Sequence, residues 1–306
     1  MILNGDGKIV VTGAGGWLGT EYLEVLLEEL GSTALKEFLI CLGSSSRTKV
    51  LSDGTEIEIF ALTDASISGR LEGLVHLAFL TRDKVAKMSA ESYSHANLQI
   101  TSAAVRLIET CKPKWVATVS SGAVFSSPRG PLENNLESNP YGFTKRVEET
   151  LLKAACEGIQ SNLAIGRLWG AMGRHMPVNR AYAVSDFIVQ AKEAGNIQVH
   201  ADHEVFRRYC LAADFMRILV GSAKTTQFVT FDSGGEITEL GPLAQMVADS
   251  LEVPTLARSL RAGSEPDNYY PTSDYFETFA SANGILLSDL ETQVASTLLS
   301  HDAFKP

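Results

Sequence analysis

Two residues suited to acid–base chemistry, Tyr141 and Lys145, stand four apart in the sequence Asn-Pro-Tyr-Gly-Phe-Thr-Lys. On a helix, residues with this spacing share a face, so one ligand can contact both the phenol and the ammonium. A free phenol has a pKa of about 10, and a neighbouring cation favours its ionised form. The spacing therefore predicts proton transfer by Tyr141 with a pKa lowered by Lys145, while the hydroxyl of Ser121 holds the substrate oxygen.

A glycine-rich turn near the start of the chain predicts a dinucleotide site. The sequence Thr-Gly-Ala-Gly-Gly-Trp-Leu-Gly at 12–19 follows an apolar run and precedes a helical pattern that Gly31 is expected to end. Glycines at such a turn let the backbone approach a pyrophosphate, and the helix N-terminus supplies N–H groups and partial positive charge. We expect cofactor contacts here from Gly13, Gly16, Trp17, Leu18 and Gly19.

The residues after the second predicted strand favour NADP(H) over NAD(H). An enzyme that uses NAD usually carries an acid there to bind the ribose 2′-hydroxyl. This chain instead has Ser44, Ser45, Ser46 and Arg47, and no acid before Asp53. Hydroxyls and a guanidinium suit a 2′-phosphate by charge and hydrogen-bonding capacity, although a solvated serine-rich loop would have the same composition.

Apolar runs alternate with helical patterns through the first part of the chain. Strands are predicted at 8–12, 38–42, 56–62, 74–78, 115–119 and 162–168, and long helices at 85–110 and from Tyr141. Strands that are apolar on both faces indicate an α/β fold with a doubly wound parallel sheet. We predict a dinucleotide-binding domain at 1–168 with a return segment near 205–235. A smaller C-terminal substrate lobe is predicted at 169–204 and 236–306.

Composition narrows the classes of partner. The chain has 306 residues, 45% of them apolar, and a formal charge of −10, which argues against nucleic acid as the main partner. No run approaches the roughly 20 apolar residues of a membrane span, and no secretory signal is visible. Four cysteines without ligand spacing, and an isolated His200-x-x-His203, predict no metal site. These features together predict a cytoplasmic protein.

In combination, these motifs resemble the extended short-chain dehydrogenase/reductases. The similarity is specifically to the NAD(P)-dependent epimerase/dehydratase family of nucleotide-sugar enzymes. The segments His76-Leu-Ala78 and Ser120–Phe125 add to the likeness, which runs from about residue 7 to about 232. The resemblance implies that Ser121, Tyr141 and Lys145 are catalytic and that Lys145 also holds the nicotinamide ribose. It further implies cofactor contacts from Leu77, Ala78, Phe79 and Asn97, and substrate contacts from Thr81, Ser120 and Gly122.

Departures from the family pattern limit the activity. Gly122 and Ala123 stand where the 4,6-dehydratases have an Asp-Glu pair, which argues against that reaction. Gly170 replaces an asparagine that grips the nucleotide diphosphate in the epimerases. Arg207 matches the family's diphosphate-binding arginine, with Arg208 as the alternative if the register shifts. Both arginines could instead pair with surface acids.

Three functions remain open from the sequence. The first is a 4-ketoreductase or epimerase of a nucleotide-activated sugar. The second is an NADPH-dependent reductase of a small carbonyl or hydroxyl metabolite without a nucleotide. The third, a non-catalytic NADP-binding sensor, is disfavoured because Tyr141 and Lys145 are both present. Family resemblance and the excess apolar surface of the helix predicted at 85–110 also predict a homodimer.

Overall fold

The structure, a computed structural model, describes residues 2–127, 130–178 and 182–299. These residues form two compact units. The first unit contains 2–126, 130–168 and 216–231, and the second contains 127, 169–178, 182–215 and 232–299.

Strands and helices alternate through the first half of the chain. The strands are β1 (Ile2–Asn4), β2 (Ile9–Thr12), β3 (Leu39–Gly43), β4 (Arg47–Val50), β5 (Glu56–Ala61), β6 (Ser66–Ser68), β7 (Gly73–His76), β8 (Trp115–Ser121), β9 (Asn162–Leu168), β10 (Ala171–Met172), β11 (Val205–Leu211), β12 (Phe228–Asp232), β13 (Glu236–Glu239) and β14 (Asp267–Tyr269). The α-helices are α1 (Trp17–Phe38), α2 (Ala90–Cys111), α3 (Pro140–Ile159), α4 (Ala183–Ala194), α5 (Ala212–Thr225), α6 (Leu240–Leu251), α7 (Tyr275–Ala282) and α8 (Leu290–Leu299). Short 3₁₀ helices cover Arg82–Lys87 and Gly122–Val124.

The first unit is built on an eight-stranded sheet in the order β12-β9-β8-β7-β2-β3-β5-β4. The neighbours from β9 to β5 pair in parallel. The central strands are buried on both faces, and Val10, Leu74 and Val116 share one core with Ile108 of α2 and Leu152 of α3. This arrangement confirms the predicted α/β fold with a mostly parallel, doubly wound sheet.

The edge strand β4 was not predicted from the sequence. It pairs antiparallel with β5 and starts at Arg47, where the sequence pattern indicated a serine-rich loop. The connecting turn contains Gly54 at a φ of 89° and Asp53, whose Oδ1 accepts the Thr55 N–H at 2.8 Å. The side chains of an exposed edge strand do not alternate between apolar and polar, because the strand itself does not pack against the core. The sequence pattern therefore gives no signal for it.

Two helix boundaries differ from the predicted ones. Gly31 does interrupt α1, with φ of 78° and ψ of 165°, but the chain turns helical again as far as Phe38. Helix α2 begins at Ala90 rather than near 85, because the Ser89 side chain caps it by accepting the Ser92 N–H at 3.2 Å. The preceding segment forms the separate 3₁₀ helix Arg82–Lys87.

The second unit has its own small sheet and core. Strand β11 pairs in parallel with β10 and β14 and antiparallel with β13. Helices α4, α6 and α8 enclose an apolar cluster that includes Ile188, Leu243 and Val294. Of the return segment expected near 205–235, β11 belongs to this sheet, whereas β12 extends the large one. Among the described residues, no helix is both long and apolar enough to cross a membrane.

Candidate active site

The predicted glycine turn lies between the end of β2 and the start of α1. Gly13 has a φ of 71°, and a Cβ there would lie 2.6 Å from the Ala78 backbone nitrogen. A Cβ on Gly19 would overlap the carbonyl oxygen of Gly13. Gly16, the N-cap of α1, brings no side chain to the first-turn N–H groups, and Trp17 and Leu18 begin the helix. This turn is a backbone cradle with a helix dipole behind it, so it fits a dinucleotide pyrophosphate.

Arg47 lies beside this cradle. A Cβ on Gly15 would overlap the Arg47 guanidinium, and Arg47 Nη1 donates to Ser45 Oγ at 3.3 Å. Ser46 instead uses its hydroxyl oxygen to accept the Ala61 N–H at 2.9 Å, and Ser44 is exposed. A cation that is hydrogen bonded to the Ser45 hydroxyl therefore lies beside the glycine turn, as suits a phosphate site.

Tyr141 is placed by the start of α3. The helix begins at Pro140, and the Asn139 side chain caps it by accepting the Gly142 N–H at 2.8 Å. Asn139 Nδ2 also donates to the carbonyl oxygen of Ala123 at 3.0 Å, which ties the helix to the turn after β8. Ser121 ends β8, and its hydroxyl lies within hydrogen-bonding reach of the Tyr141 phenol. The structure therefore brings these two predicted catalytic residues together.

Lys145 is buried one turn further along α3. Its Nζ donates to the carbonyl oxygen of Val119 at 2.8 Å and to Glu148 Oε2 at 2.7 Å. The ammonium also lies 3.7 Å from the centre of the Phe79 ring, and the same ring meets Tyr141 edge to face at 5.9 Å. Phe79 thus packs against both the predicted acid–base residue and its cation.

The expected lowering of the Tyr141 pKa is not what these surroundings produce. Burial raises the pKa of Tyr141 above its ordinary value. The Ser121 hydrogen bond and the Arg82 guanidinium oppose the rise, and the Glu148 carboxylate adds to it. The expectation was wrong chiefly because burial of the phenol disfavours its ionised form. The Lys145 ammonium, which the spacing predicted as the opposing charge, pairs with the buried Glu148 carboxylate.

Several residues that shape this site had no structural role assigned from the sequence, and Glu148 was not singled out at all. Glu148 binds Lys145, and His76 lies between Glu148 and Thr12. Asn139 immediately before Pro140 is a helix-start signal that could have been used. Glu148 carries no comparable signal, because a carboxylate three residues after a lysine is common on exposed helix faces.

The remaining predicted residues lie either after β7 or beside Ser121 at the end of β8. Leu77 and Ala78 follow β7 beside Gly13, and Thr81 donates its hydroxyl to Asp83. Ser120 and Gly122 are buried on either side of Ser121, and Ser120 Oγ has no hydrogen-bond partner within the described parts of the chain.

Asn97 differs from the other predicted cofactor residues because it is fully buried. Its Oδ1 accepts the Leu80 N–H at 2.7 Å, and its Nδ2 donates to the Tyr93 carbonyl oxygen at 3.3 Å. With no exposed surface to meet a ligand, Asn97 instead holds the segment that carries Phe79.

In the second unit, Arg207 and Arg208 both lie in ion pairs. Arg207 Nη2 is 2.7 Å from Asp267 Oδ2, and Arg208 Nη2 is 2.8 Å from Glu277 Oε1. Arg208 also donates to three backbone carbonyl oxygens, so it stabilises the unit. A Cβ on Gly170 would lie 2.5 Å from the Arg208 carbonyl oxygen, so the backbone leaves no room for asparagine there.

Solved structures with a similar fold share little sequence with this chain. A UDP-N-acetylglucosamine 4-epimerase from Methanobrevibacter ruminantium M1, in complex with UDP-N-acetylmuramic acid, has a TM-score of 0.73 at 20% identity. The similarity covers 98% of this chain and 100% of that chain. The UDP-glucose 4-epimerase from Bifidobacterium longum, in complex with NAD+ and UDP, has a TM-score of 0.71 at 15% identity. The similarity covers 97% of this chain and 98% of that chain.

A third similar structure is that of an enzyme with a different reaction. TunA, an NAD dependent NDP-hexosamine 5,6-dehydratase involved in tunicamycin biosynthesis, has a TM-score of 0.74 at 14% identity. The similarity covers 98% of this chain and 99% of that one. No curated protein matches the chain by sequence.

The family assignment rests on sequence. The profile of the NAD dependent epimerase/dehydratase family matches residues 9–228, which include the glycine turn, Ser121, Tyr141 and Lys145. Because the match spans well over half of the chain, the protein belongs to the NAD dependent epimerase/dehydratase family, whose members are enzymes of the short-chain dehydrogenase/reductase type.

Proposed function

We propose that the protein is an NADP(H)-dependent oxidoreductase or epimerase of a nucleotide-activated sugar, acting as a 4-ketoreductase or a 4-epimerase. The observation that carries this proposal is the meeting of Ser121, Tyr141 and Lys145 at the end of β8 and the start of α3. A glycine cradle lies at the end of β2, one strand beyond β7 in the same sheet.

Each of the three residues has a separate task in this proposal. The bound cofactor supplies or accepts a hydride at the sugar carbon. Tyr141 transfers the proton at the sugar oxygen, and Ser121 holds that oxygen in line with the phenol. Lys145 is the cation of this group and would contact the ribose of a bound cofactor.

The protonation state of Tyr141 is compatible with both reactions. A phenol at its ordinary pKa of about 10 is protonated at neutral pH, and burial raises the pKa of Tyr141 further, so it can donate its proton. Reduction of a ketone needs such a donor, and the second, reductive half of an epimerase reaction needs it too. Cofactor stoichiometry therefore has to separate the two reactions.

The position of Arg47 supports NADP(H) as the cofactor. Its guanidinium lies over Gly15 and is hydrogen bonded to Ser45. A charged, forked donor beside the glycine turn suits a 2′-phosphate. Two of the three similar structures contain or depend on NAD, so the preference for NADP(H) is a property proposed for this chain.

The residues after Ser121 argue against 4,6-dehydration. Gly122 and Ala123 cannot donate or accept a proton, so the water of a sugar would have no acid or base at that place. TunA, the dehydratase among the similar structures, is a 5,6-dehydratase and not a 4,6-dehydratase, so it does not change this argument.

A second candidate function is reduction of a small carbonyl metabolite without a nucleotide. The pairing of Arg207 with Asp267 favours it, because a diphosphate would have to displace that carboxylate. The closed space at Gly170 favours it too, since no amide can reach a diphosphate from there. The nucleotide-sugar proposal requires Arg207, whose side chain is 26% exposed, to exchange Asp267 for phosphate.

Calorimetric titration with UDP, dTDP, GDP and CDP in the presence of NADP separates these two functions. The nucleotide-sugar proposal expects one nucleotide to bind, and Arg207→Ala to weaken it. Arg261→Ala, which changes a more exposed arginine paired with Asp202, is the control and should have no effect. Failure of all four nucleotides to bind would favour the second function.

Cofactor stoichiometry then separates reductase from epimerase. A reductase consumes one NADPH per ketosugar reduced, whereas an epimerase interconverts two sugars with no net change in NADPH absorbance. Turnover of either kind excludes the non-catalytic sensor.

We also propose a homodimer in the cytoplasm. A half-buried apolar stripe on α2, formed by Ile100, Ala103 and Leu107, and the exposed Leu151 of α3 support the dimer. The four cysteines are free and buried, as is usual in a reducing compartment.

A further inference from the structure

Four buried polar side chains form a chain of contacts beneath the candidate site. Thr12 Oγ1 lies 2.7 Å from His76 Nδ1, and His76 Nε2 lies 3.2 Å from Glu148 Oε1. Glu148 Oε2 lies 2.7 Å from Lys145 Nζ. The chain therefore joins the end of β2, beside the glycine turn, to the lysine of α3.

The donors and acceptors along this chain are consistent in one direction. The Thr12 oxygen accepts the N–H groups of Leu77 and Ala78 at 3.3 and 3.4 Å, so its own proton is available for His76 Nδ1. The second imidazole nitrogen then carries the proton and lies 3.2 Å from Glu148 Oε1, a close polar contact without the geometry of a hydrogen bond. The carboxylate accepts a hydrogen bond from Lys145 through its other oxygen.

The charge of Glu148 is maintained by these partners. Burial alone would raise the pKa of Glu148, but the Lys145 ammonium and His76 outweigh it and hold the pKa below its ordinary value. With 1% of its side chain exposed, the carboxylate has no water to replace either partner. Lys145 in turn is held by Glu148 and the Val119 carbonyl oxygen.

We propose that Glu148, oriented by His76, is a positioning residue that holds the Lys145 ammonium in place and sets the electrostatic potential at the Tyr141 phenol. The proposal rests on the proposed function only in taking Tyr141 as the acid–base residue. Its physical basis is the buried contact chain itself, which leaves the ammonium with a carboxylate on one side and the Phe79 ring on another.

The charged groups around the phenol determine the sign of the expected effect. Glu148 acts on it from α3, Arg82 from the 3₁₀ helix after β7, and the neutral phenol of Tyr93 from α2. Lys145 contacts the same Phe79 ring that Tyr141 meets. The Glu148 carboxylate raises the pKa of Tyr141. Removing its charge therefore lowers that pKa, because the contribution of the carboxylate is deleted while the Lys145 charge stays.

The test measures how readily Tyr141 ionises, without any substrate. Tetranitromethane nitrates tyrosinate, so the nitration rate of Tyr141 at a fixed, mildly alkaline pH reports its ionised fraction, read by peptide mass spectrometry. Glu148→Gln should raise that rate about tenfold, because a lower pKa of Tyr141 increases its ionised fraction at that pH. Glu148→Asp keeps the charge but withdraws it by one methylene and should give a smaller rise.

Glu149→Gln is the matched control. Glu149 is the next residue of α3 and is also a buried carboxylate, but it pairs with Arg167 at 2.7 Å rather than with Lys145. Its substitution should leave the nitration rate of Tyr141 unchanged even if it lowers stability.

An unchanged or slower nitration rate in Glu148→Gln, or an equal rise in Glu149→Gln, would overturn the proposal. If Glu148→Gln does not fold, Glu148→Asp decides alone, and a rate at or below that of the wild type would overturn it. Failure of the proposed function is seen separately, as turnover that persists in Tyr141→Phe.

Discussion

The Tyr141 phenol lies near the Glu148 carboxylate, which raises its pKa, and near the Arg82 guanidinium, which lowers it. A YxxxK sequence alone suggests that the lysine lowers the tyrosine pKa, but here Glu148 pairs with that lysine and burial raises the pKa. The protonated phenol suits donation to a carbonyl oxygen.

Tyr141→Phe should reduce turnover about 10²- to 10⁴-fold, because the ring remains and only the transferable proton is lost. The edge contact with Phe79 is kept, so NADPH affinity should stay within a few-fold. Steady-state turnover and NADPH fluorescence titration measure the two effects. A variant with more than a small residual activity would remove Tyr141 from the acid–base role.

Lys145→Met should destabilise the protein by about 3–5 kcal/mol, because Glu148 is left as an unpaired buried charge. It should also weaken NADPH binding. Adding Glu148→Gln to the same protein removes the unpaired charge and should restore much of the stability without restoring cofactor affinity. Urea unfolding and NADPH titration measure these quantities, and full stability in the single variant would contradict the pairing.

Arg47→Ala should weaken NADP(H) binding about tenfold to a hundredfold, the value of a charged hydrogen bond to a phosphate. Binding of NAD(H) should change little, since it has no 2′-phosphate. The comparison uses titration of both cofactors against both proteins. Equal losses for NADPH and NADH would show that Arg47 acts elsewhere.

At the scale of elements, the site depends on how the start of α3 sits against the turn after β8. Asn139 caps the helix and bonds to Ala123, and the Glu133 carboxylate accepts from Asn139 Nδ2 at 3.1 Å. Gly142 makes the closest approach, because a Cβ there would overlap the Ala123 carbonyl oxygen. These contacts put Tyr141 beside Ser121.

Gly142→Ala should therefore shift the start of α3, lowering both turnover and the melting temperature. Gly158→Ala is the control on the same helix, because a Cβ there meets nothing within 4 Å. Alanine is the better helix former by about 0.5–1 kcal/mol, so the control should raise stability and leave turnover unchanged. Equal effects at the two positions would contradict the close contact.

At the scale of the whole molecule, helices α2 and α3 offer apolar surface beyond what the sheet covers. Light scattering should therefore give about twice the monomer mass of 33.0 kDa. Leu151→Asp, at a position 39% exposed, should produce monomers. Leu286→Asp, at a position 91% exposed in the second unit, is the control and should leave the dimer intact. A wild-type monomer mass with NADPH bound would contradict the dimer.

The sequence by itself determined the sheet, the glycine turn and the identity of the catalytic candidates. Buried parallel strands are apolar on both faces, and each is followed by a turn. Strands β2, β7 and β8 can therefore be recognised in the sequence as short apolar runs. The edge strand β4 was not visible, because its exposed side chains follow no apolar period.

Only the tertiary structure decided the electrostatics of the site. Glu148, His76 and Thr12 come from three separate elements, and no local pattern indicates that they meet under Lys145. Whether a cation lowers the pKa of a phenol depends on burial and on what else the cation binds. Both are long-range properties of the folded chain, which residue spacing does not contain.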